Sequence, residues 1–137
     1  MTFTPNYTPS RMLKLGVFGG SYFRDATKAD FLGMSILTTG LARVNVGSLS
    51  PSRNLYRVKA GLPYKDWMDN GWIFDEDPLG WFHWYCRYSH GRQHERDGHQ
   101  INRWLKYRQR WGDRYRDKPS AVIKQGLLQW AINCEKL

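Results

Sequence analysis

Acidic side chains, cysteines and long apolar runs are all scarce in this chain. Twelve Asp and Glu stand against 21 Lys and Arg, a formal net charge of +9, and thirteen of the cations are Arg. Such an excess favours polyanionic partners and speeds encounter with them. Only two cysteines occur, Cys86 and Cys134. They lie far apart inside apolar stretches, which excludes a disulfide framework and reads as free buried thiols in a reducing compartment. The longest apolar-leaning run, Ala29 to Ala42, is broken by Gly33, Gly40 and hydroxyl residues. It is too short to span a bilayer, so no membrane partner is expected. Residues 1–10 are polar with two prolines, which fits neither a signal peptide nor an anchor. The expectation is a soluble, cytoplasmic protein. Internal repeats and low-complexity segments are absent.

The common catalytic signatures are missing too. Gly16-x-x-Gly19-Gly20 is not the dinucleotide fingerprint, and no Walker lysine-hydroxyl pair follows it. Neither a G-x-S-x-G elbow nor a paired-histidine metalloprotease motif occurs. These absences leave enzymatic activity an open question and remove its usual signatures.

What the chain has in quantity is aromatic surface: seven Trp, eight Tyr and six Phe in 137 residues. That length suits a single domain over residues 1–137. It buries about two-thirds of its unfolded surface without needing staples. Residues 1–10 read as a loose arm. Leu13 to Phe18 has the character of a short strand ended by Gly19-Gly20, and Tyr56 to Ala60 of a second. Residues 43–55 read as loop. Pro63 to Asn70 suggests a short helix stopped by Asn70-Gly71.

The second half is clearer. Asp75, Glu76 and Asp77 before Pro78 make a helix start. From Trp81, residues Trp84, Tyr85 and Tyr88 recur at i+3, i+4 and i+7, one helical face suited to a core, with His83, Arg87 and His90 on another. Gly91 ends that helix. A second helix is expected over about His99 to Tyr115, with Ile101, Trp104, Leu105 and Trp111 as core contacts. Pro119-Ser120 opens a third, striped by Ile123, Leu127, Trp130 and Cys134. The fold class is therefore mainly α: a small helical domain of three C-terminal helices, with an irregular N-terminal half carrying one or two short strands.

The leading candidate site is a basic helix face. Arg103, Lys106, Arg110 and Arg114 fall at i, i+3, i+7 and i+11, and no acidic residue lies between His99 and Arg110. Arg87, Arg92 and Arg96 precede the row and extend it. Guanidinium forks match phosphate oxygens, and each neutralised phosphate adds salt-dependent affinity for DNA or RNA. His90 or Tyr107 offers a ring for stacking on bases. The competing arrangement pairs these arginines with Asp75, Asp77, Asp113 and Asp117. A possible polar site joins Tyr22, Arg24 and Asp25, which follow the flexible diglycine, to Asp77. His83, Cys86 and His90, with His94 and His99 beyond, lack the two close ligand clusters of zinc signatures. Neither a metal nor another cofactor is expected.

Several blocks carry a resemblance: Gly19-Gly20-x-Tyr22-Phe23-Arg24-Asp25, Asn54-x-Tyr56-x-Val58-Lys59-x-Gly61, Asp77-Pro78-x-Gly80-Trp81-Phe82-x-Trp84-Tyr85-Cys86-Arg87-Tyr88, Gln100-Ile101-x-Arg103-Trp104 and Leu127-Leu128-Gln129-Trp130-Ala131. The pattern resembles a family of small uncharacterised proteins of bacteriophages, bacteria, algae and fungi. The resemblance implies a compact intracellular domain, here encoded by a phage and acting in a bacterial host. Relatives tend to show a second basic residue after the Gly-Arg pair and acidic residues before Arg-Gln-Ile. Here Gln93 and His94 follow Arg92, and His99 precedes Gln100. The functional expectation is nucleic-acid binding through the arginine-rich face without strong sequence readout. Its rivals are an enzyme acting on a nucleotide or nucleic-acid base, and a phage adaptor or inhibitor that binds a host protein.

Overall fold

The computed structural model of the chain describes residues 3–15, 17, 56, 69–74, 76, 77 and 80–137. Its elements in chain order are α1 (Pro9–Lys14), α2 (Trp81–Ser89), α3 (Asp97–Asp117), α4 (Ala121–Gln129) and a terminal 3₁₀ turn (Cys134–Lys136). The described part is mainly α. It contains no strand, and its one β pairing is an isolated bridge between Phe74 and Asp77.

Helix α2 is the centre of the fold. Six successive residues, Trp81 to Cys86, are buried. A helix enclosed on every side must have neighbours all round. Met12 and Leu13 of α1, Trp104 of α3, and Leu127 and Leu128 of α4 belong to the same core. The face of Trp81, Trp84 and Tyr85 is thus core, as its spacing predicts. The opposite face is core as well. His83, placed by its spacing on another face with Arg87 and His90, is fully buried.

Burying so many indoles leaves their N–H groups in need of acceptors, and three find them. Trp81 Nε1 donates to the Gln100 carbonyl at 3.0 Å, Trp84 Nε1 to Asp97 Oδ1 at 2.8 Å, and Trp104 Nε1 to the Trp130 carbonyl at 2.7 Å. Each bond crosses between elements, so the tryptophans set the helices' relative positions as well as filling space.

The N-terminal residues depart from two expectations. Residues 3–10 are docked rather than loose. Phe3 lies 5.0 Å from the Trp104 ring at 89°, and 5.6 Å from Tyr85 at 86°. Asn6 N–H donates to the Ala131 carbonyl, and Asn133 N–H to Asn6 Oδ1. Leu13 and Lys14, assigned to a strand from their alternation, close α1. Thr8 caps that helix by accepting from Arg11 N–H, and Pro9 occupies its first turn, where a missing N–H has no cost. Of the second expected strand, Tyr56 sits in a turn and residues 57–60 lie outside the described residues. The expected helix from Pro63 lies almost wholly outside them too.

Helices α2 and α4 end in the same way. In α2, Gly91 N–H reaches the Tyr88 carbonyl and Arg92 N–H the Arg87 carbonyl, with Gly91 at φ +97°. In α4, Ala131 N–H reaches Leu128 and Ile132 N–H reaches Leu127, with Ala131 at φ +60°. Both are Schellman turns, which satisfy two orphan carbonyls through one left-handed residue. Ser120 opens α4 by accepting from Ile123 N–H at 3.1 Å, as the Pro119-Ser120 pair suggests. Helix α3 begins two residues before its expected start and runs two beyond its expected end. At 21 residues it is about 31 Å long, against about 13 Å for the nine-residue α4 beside it. Only three residues join the two helices, so α4 runs back along the C-terminal half of α3, where Gly126 faces Tyr107. Among the described residues, no helix is long and apolar enough to cross a membrane.

Candidate nucleic-acid interface

The six cations of the predicted face divide into three environments. Arg87 and Arg92 face inward. Both converge on Asp77, whose side chain is 1% exposed. Arg92 makes a bidentate contact, NH1 to Oδ1 and NH2 to Oδ2, each at 2.7 Å. Arg87 NH1 donates to Oδ1 at 3.2 Å and to the Glu76 carbonyl. The Schellman turn explains the convergence: folding Arg92 N–H back onto the Arg87 carbonyl brings two side chains five residues apart to one carboxylate. Arg96 is drawn in similarly, pairing with Glu76 and lying 4.0 Å over the Phe74 ring. The hydrogen bond to Asp77 raises the Arg92 pKa, so the guanidinium is held charged. Arg87 and Arg92, assigned to phosphate from sequence, are instead structural partners of a buried carboxylate. The same clamp closes Asp77. Both of its oxygens accept from guanidinium donors away from solvent, which does not suit a member of an open polar site. Its companions in the possible polar site, Tyr22, Arg24 and Asp25, lie outside the described residues.

Arg103 is intermediate. Its NH1 donates to Gln100 Oε1 at 3.0 Å and to the Trp72 carbonyl at 3.3 Å, and its guanidinium lies 5.6 Å from the Trp130 ring centroid. It ties α3 to the segment before α2 while staying at the edge of solvent.

Lys106, Arg110 and Arg114 are exposed on the outer face of the C-terminal half of α3. Arg110 and Arg114 lie 5.6 and 4.6 Å from the Trp111 ring centroid. Trp111 was expected in the core because it falls seven residues after Trp104. It is half-buried and packs against the core at its edge, with the Tyr107 ring 6.1 Å away. Two further cations join this end of the molecule, Arg116 and Lys118, both exposed. Of the two carboxylates there, Asp113 pairs with Arg116 at i+3. The local field acts on His99 as well. Its pKa is lowered, first by desolvation and then by the charges of Arg103, Arg96 and Lys106.

The ring candidates fare differently. Tyr107 stacks on Trp130 at 4.6 Å with 15° between planes, and burial raises its phenol pKa far above the ordinary value. It is a packing residue. His90 is exposed, with Nδ1 2.9 Å from the Cys86 carbonyl at the end of α2. Cys86 and His83 are interior. Among the described residues, no three His, Cys, Asp or Glu side chains group as metal ligands do.

No family model, curated protein or solved structure matches the chain. Its chemistry is therefore read from these residues alone. The signal that sequence reasoning lacked was tertiary: only the position of Asp77 shows which arginines are drawn inward, and Lys118 joins the exposed cations at the end of α3.

Proposed function

We propose that the protein binds nucleic acid, DNA or RNA, through the outer face of the C-terminal half of α3, without strong sequence readout. The observation that carries this reading is the exposed row Lys106, Arg110 and Arg114. It stands clear of the Asp77 clamp that neutralises the earlier arginines. Arg103 extends the row at one end, and Lys118 at the other. The contacts are charge-assisted and directed at phosphate, so they hold a strand without reading its bases.

The proposal is tested with Lys106→Glu plus Arg110→Glu, two exposed positions away from the buried clamp. Five phosphate contacts on a single strand give a slope of log K against log salt of about −3.5. The double variant is expected to lose most affinity at low salt and to flatten that slope by at least about 1.4. Affinity unchanged by the double reversal removes the basis of the proposal. The host-adaptor reading calls for an exposed apolar patch, and the large exposed hydrophobics among the described residues are Trp72 and Val122. The enzyme reading leans on Asp77, which the clamp occupies, and on Tyr22, Arg24 and Asp25.

A further inference from the structure

Where the last turns of α3 meet the start of α4, they form an open cleft of about 340 Å³ lined by Trp111, Arg114, Lys118, Pro119 and Ile123, with Asp117 and Ser120 beside them. That volume is at the low end of small-molecule clefts, which run from about 300 to 1,000 Å³. It suits a flat heterocycle better than a large ligand. Trp111, Pro119 and Ile123 supply apolar wall. The Arg114 guanidinium lies 4.6 Å over the indole of Trp111. A guanidinium held against a ring is a stacking platform for a nucleic-acid base.

We infer that this cleft receives one unpaired nucleobase, packed against the Arg114–Trp111 pair, from a single-stranded segment whose phosphates lie along Lys106, Arg110 and Arg114. The inference rests on the nucleic-acid reading above and names the part of the ligand that this end of the site takes. Three observations support it. Arg110 and Arg114 belong at once to the cation row and to the Trp111 cluster, so a strand on the row passes the cleft mouth. Asp117, the one carboxylate lining the cleft, repels a phosphate there and accepts from the amino groups of bases. The Ser120 oxygen accepts from Ile123 N–H, which fixes the side chain and leaves its O–H to donate to an acceptor on a base. Bases inside a duplex are stacked on one another and cannot present a face to such a platform.

The test compares oligonucleotides of one length and charge by fluorescence anisotropy at fixed low salt: an unstructured DNA 12-mer, its RNA counterpart and a fully abasic DNA. The base-bearing strands are expected to bind the wild-type protein about 5- to 150-fold more tightly than the abasic strand, the ratio that corresponds to about 1–3 kcal/mol for a stacked base. An advantage in either the DNA or the RNA arm supports the inference. Trp111→Leu is expected to erase that advantage while keeping the abasic affinity and its salt slope. Equal binding of base-bearing and abasic strands, both falling with salt, overturns the inference and leaves the basic face standing. Failure of every strand to bind at low salt overturns both. The wild-type comparison decides the matter even where the leucine variant folds poorly.

Discussion

Substituting Asp77 by Asn would separate the two jobs that arginines have in this molecule. The change keeps the size of the side chain, removes its charge and turns one acceptor into a donor aimed at guanidinium. Three charge-assisted hydrogen bonds are at stake, two from Arg92 and one from Arg87. Removing one partner of a buried ion pair costs about 3–5 kcal/mol, because the other charge is left uncompensated. Here the arginine side chains are 12% and 19% exposed. Water can therefore reach their tips, and the expected loss lies at the lower end, about 3 kcal/mol. For a domain of this size, that lowers Tm by about 12 °C. Urea unfolding followed by far-UV circular dichroism measures it. Asp113→Asn is the control, since Asp113 and Arg116 are both more than half exposed. Exposed pairs contribute about 0–1 kcal/mol. A loss below about 1 kcal/mol for Asp77→Asn, no greater than the control's, would refute the clamp as a structural element. In the folded fraction, nucleic-acid affinity is expected to hold or rise, because two guanidiniums are released and one negative charge is gone.

Two further predictions follow from other parts of the molecule. A methyl group at Gly126 would stand 2.6 Å from the Tyr107 phenol oxygen. Gly126→Ala gains about 1 kcal/mol of helix propensity but overpacks a ring that is stacked on Trp130, at a cost of about 1–3 kcal/mol. Net destabilisation is expected by thermal melting, with reversal of sign when Tyr107→Phe removes the oxygen; additivity of the two changes would contradict the contact. His99 has a lowered pKa in the folded state. The unfolded chain therefore binds the proton more readily, so the contribution of His99 to stability falls as pH drops through the unfolded value and is restored above it. Proton NMR should show the His99 titration moving up when a polyanion covers Arg103 and Lys106, and a midpoint unmoved at saturating ligand would place the ligand elsewhere.

Most of the helical half was legible in the sequence because its signals are local. The spacing of Trp81, Trp84 and Tyr85, the Ser120 cap and the Gly91 stop each depend on residues within one or two turns, and each appears in the fold. What escaped depended on distant partners. Leu13 and Lys14 alternate like a strand, yet Thr8 and Pro9 start a helix that carries Met12 and Leu13 into the core. Phe3 looked like part of a loose arm because nothing nearby in sequence holds it; its partners are rings about 80 and 100 residues away. Helical phase placed His83 on a face with Arg87 and His90, but phase cannot reveal that neighbours surround the helix.

The candidate site was legible by half, for a related reason. Periodicity aligned Arg103, Lys106, Arg110 and Arg114 correctly on one helix. It could not show that Arg87 and Arg92 share Asp77, since that depends on a left-handed turn folding one back beside the other. Trp111 shows the limit most clearly. Its heptad spacing from Trp104 is that of a core residue, and it packs against the core, but spacing does not say that one side of the ring stays at the surface beside Arg110 and Arg114.

The three hydrogen-bonded indoles of the core have a consequence of a different kind. Trp81, Trp84 and Trp104 are dry and rigidly oriented, whereas Trp72 and Trp111 meet water. The emission of the protein should therefore contain a blue component that follows the integrity of the helices and a red component that follows its surroundings. The molecule carries two optical channels without any label, one reporting whether it is folded and the other what has touched it.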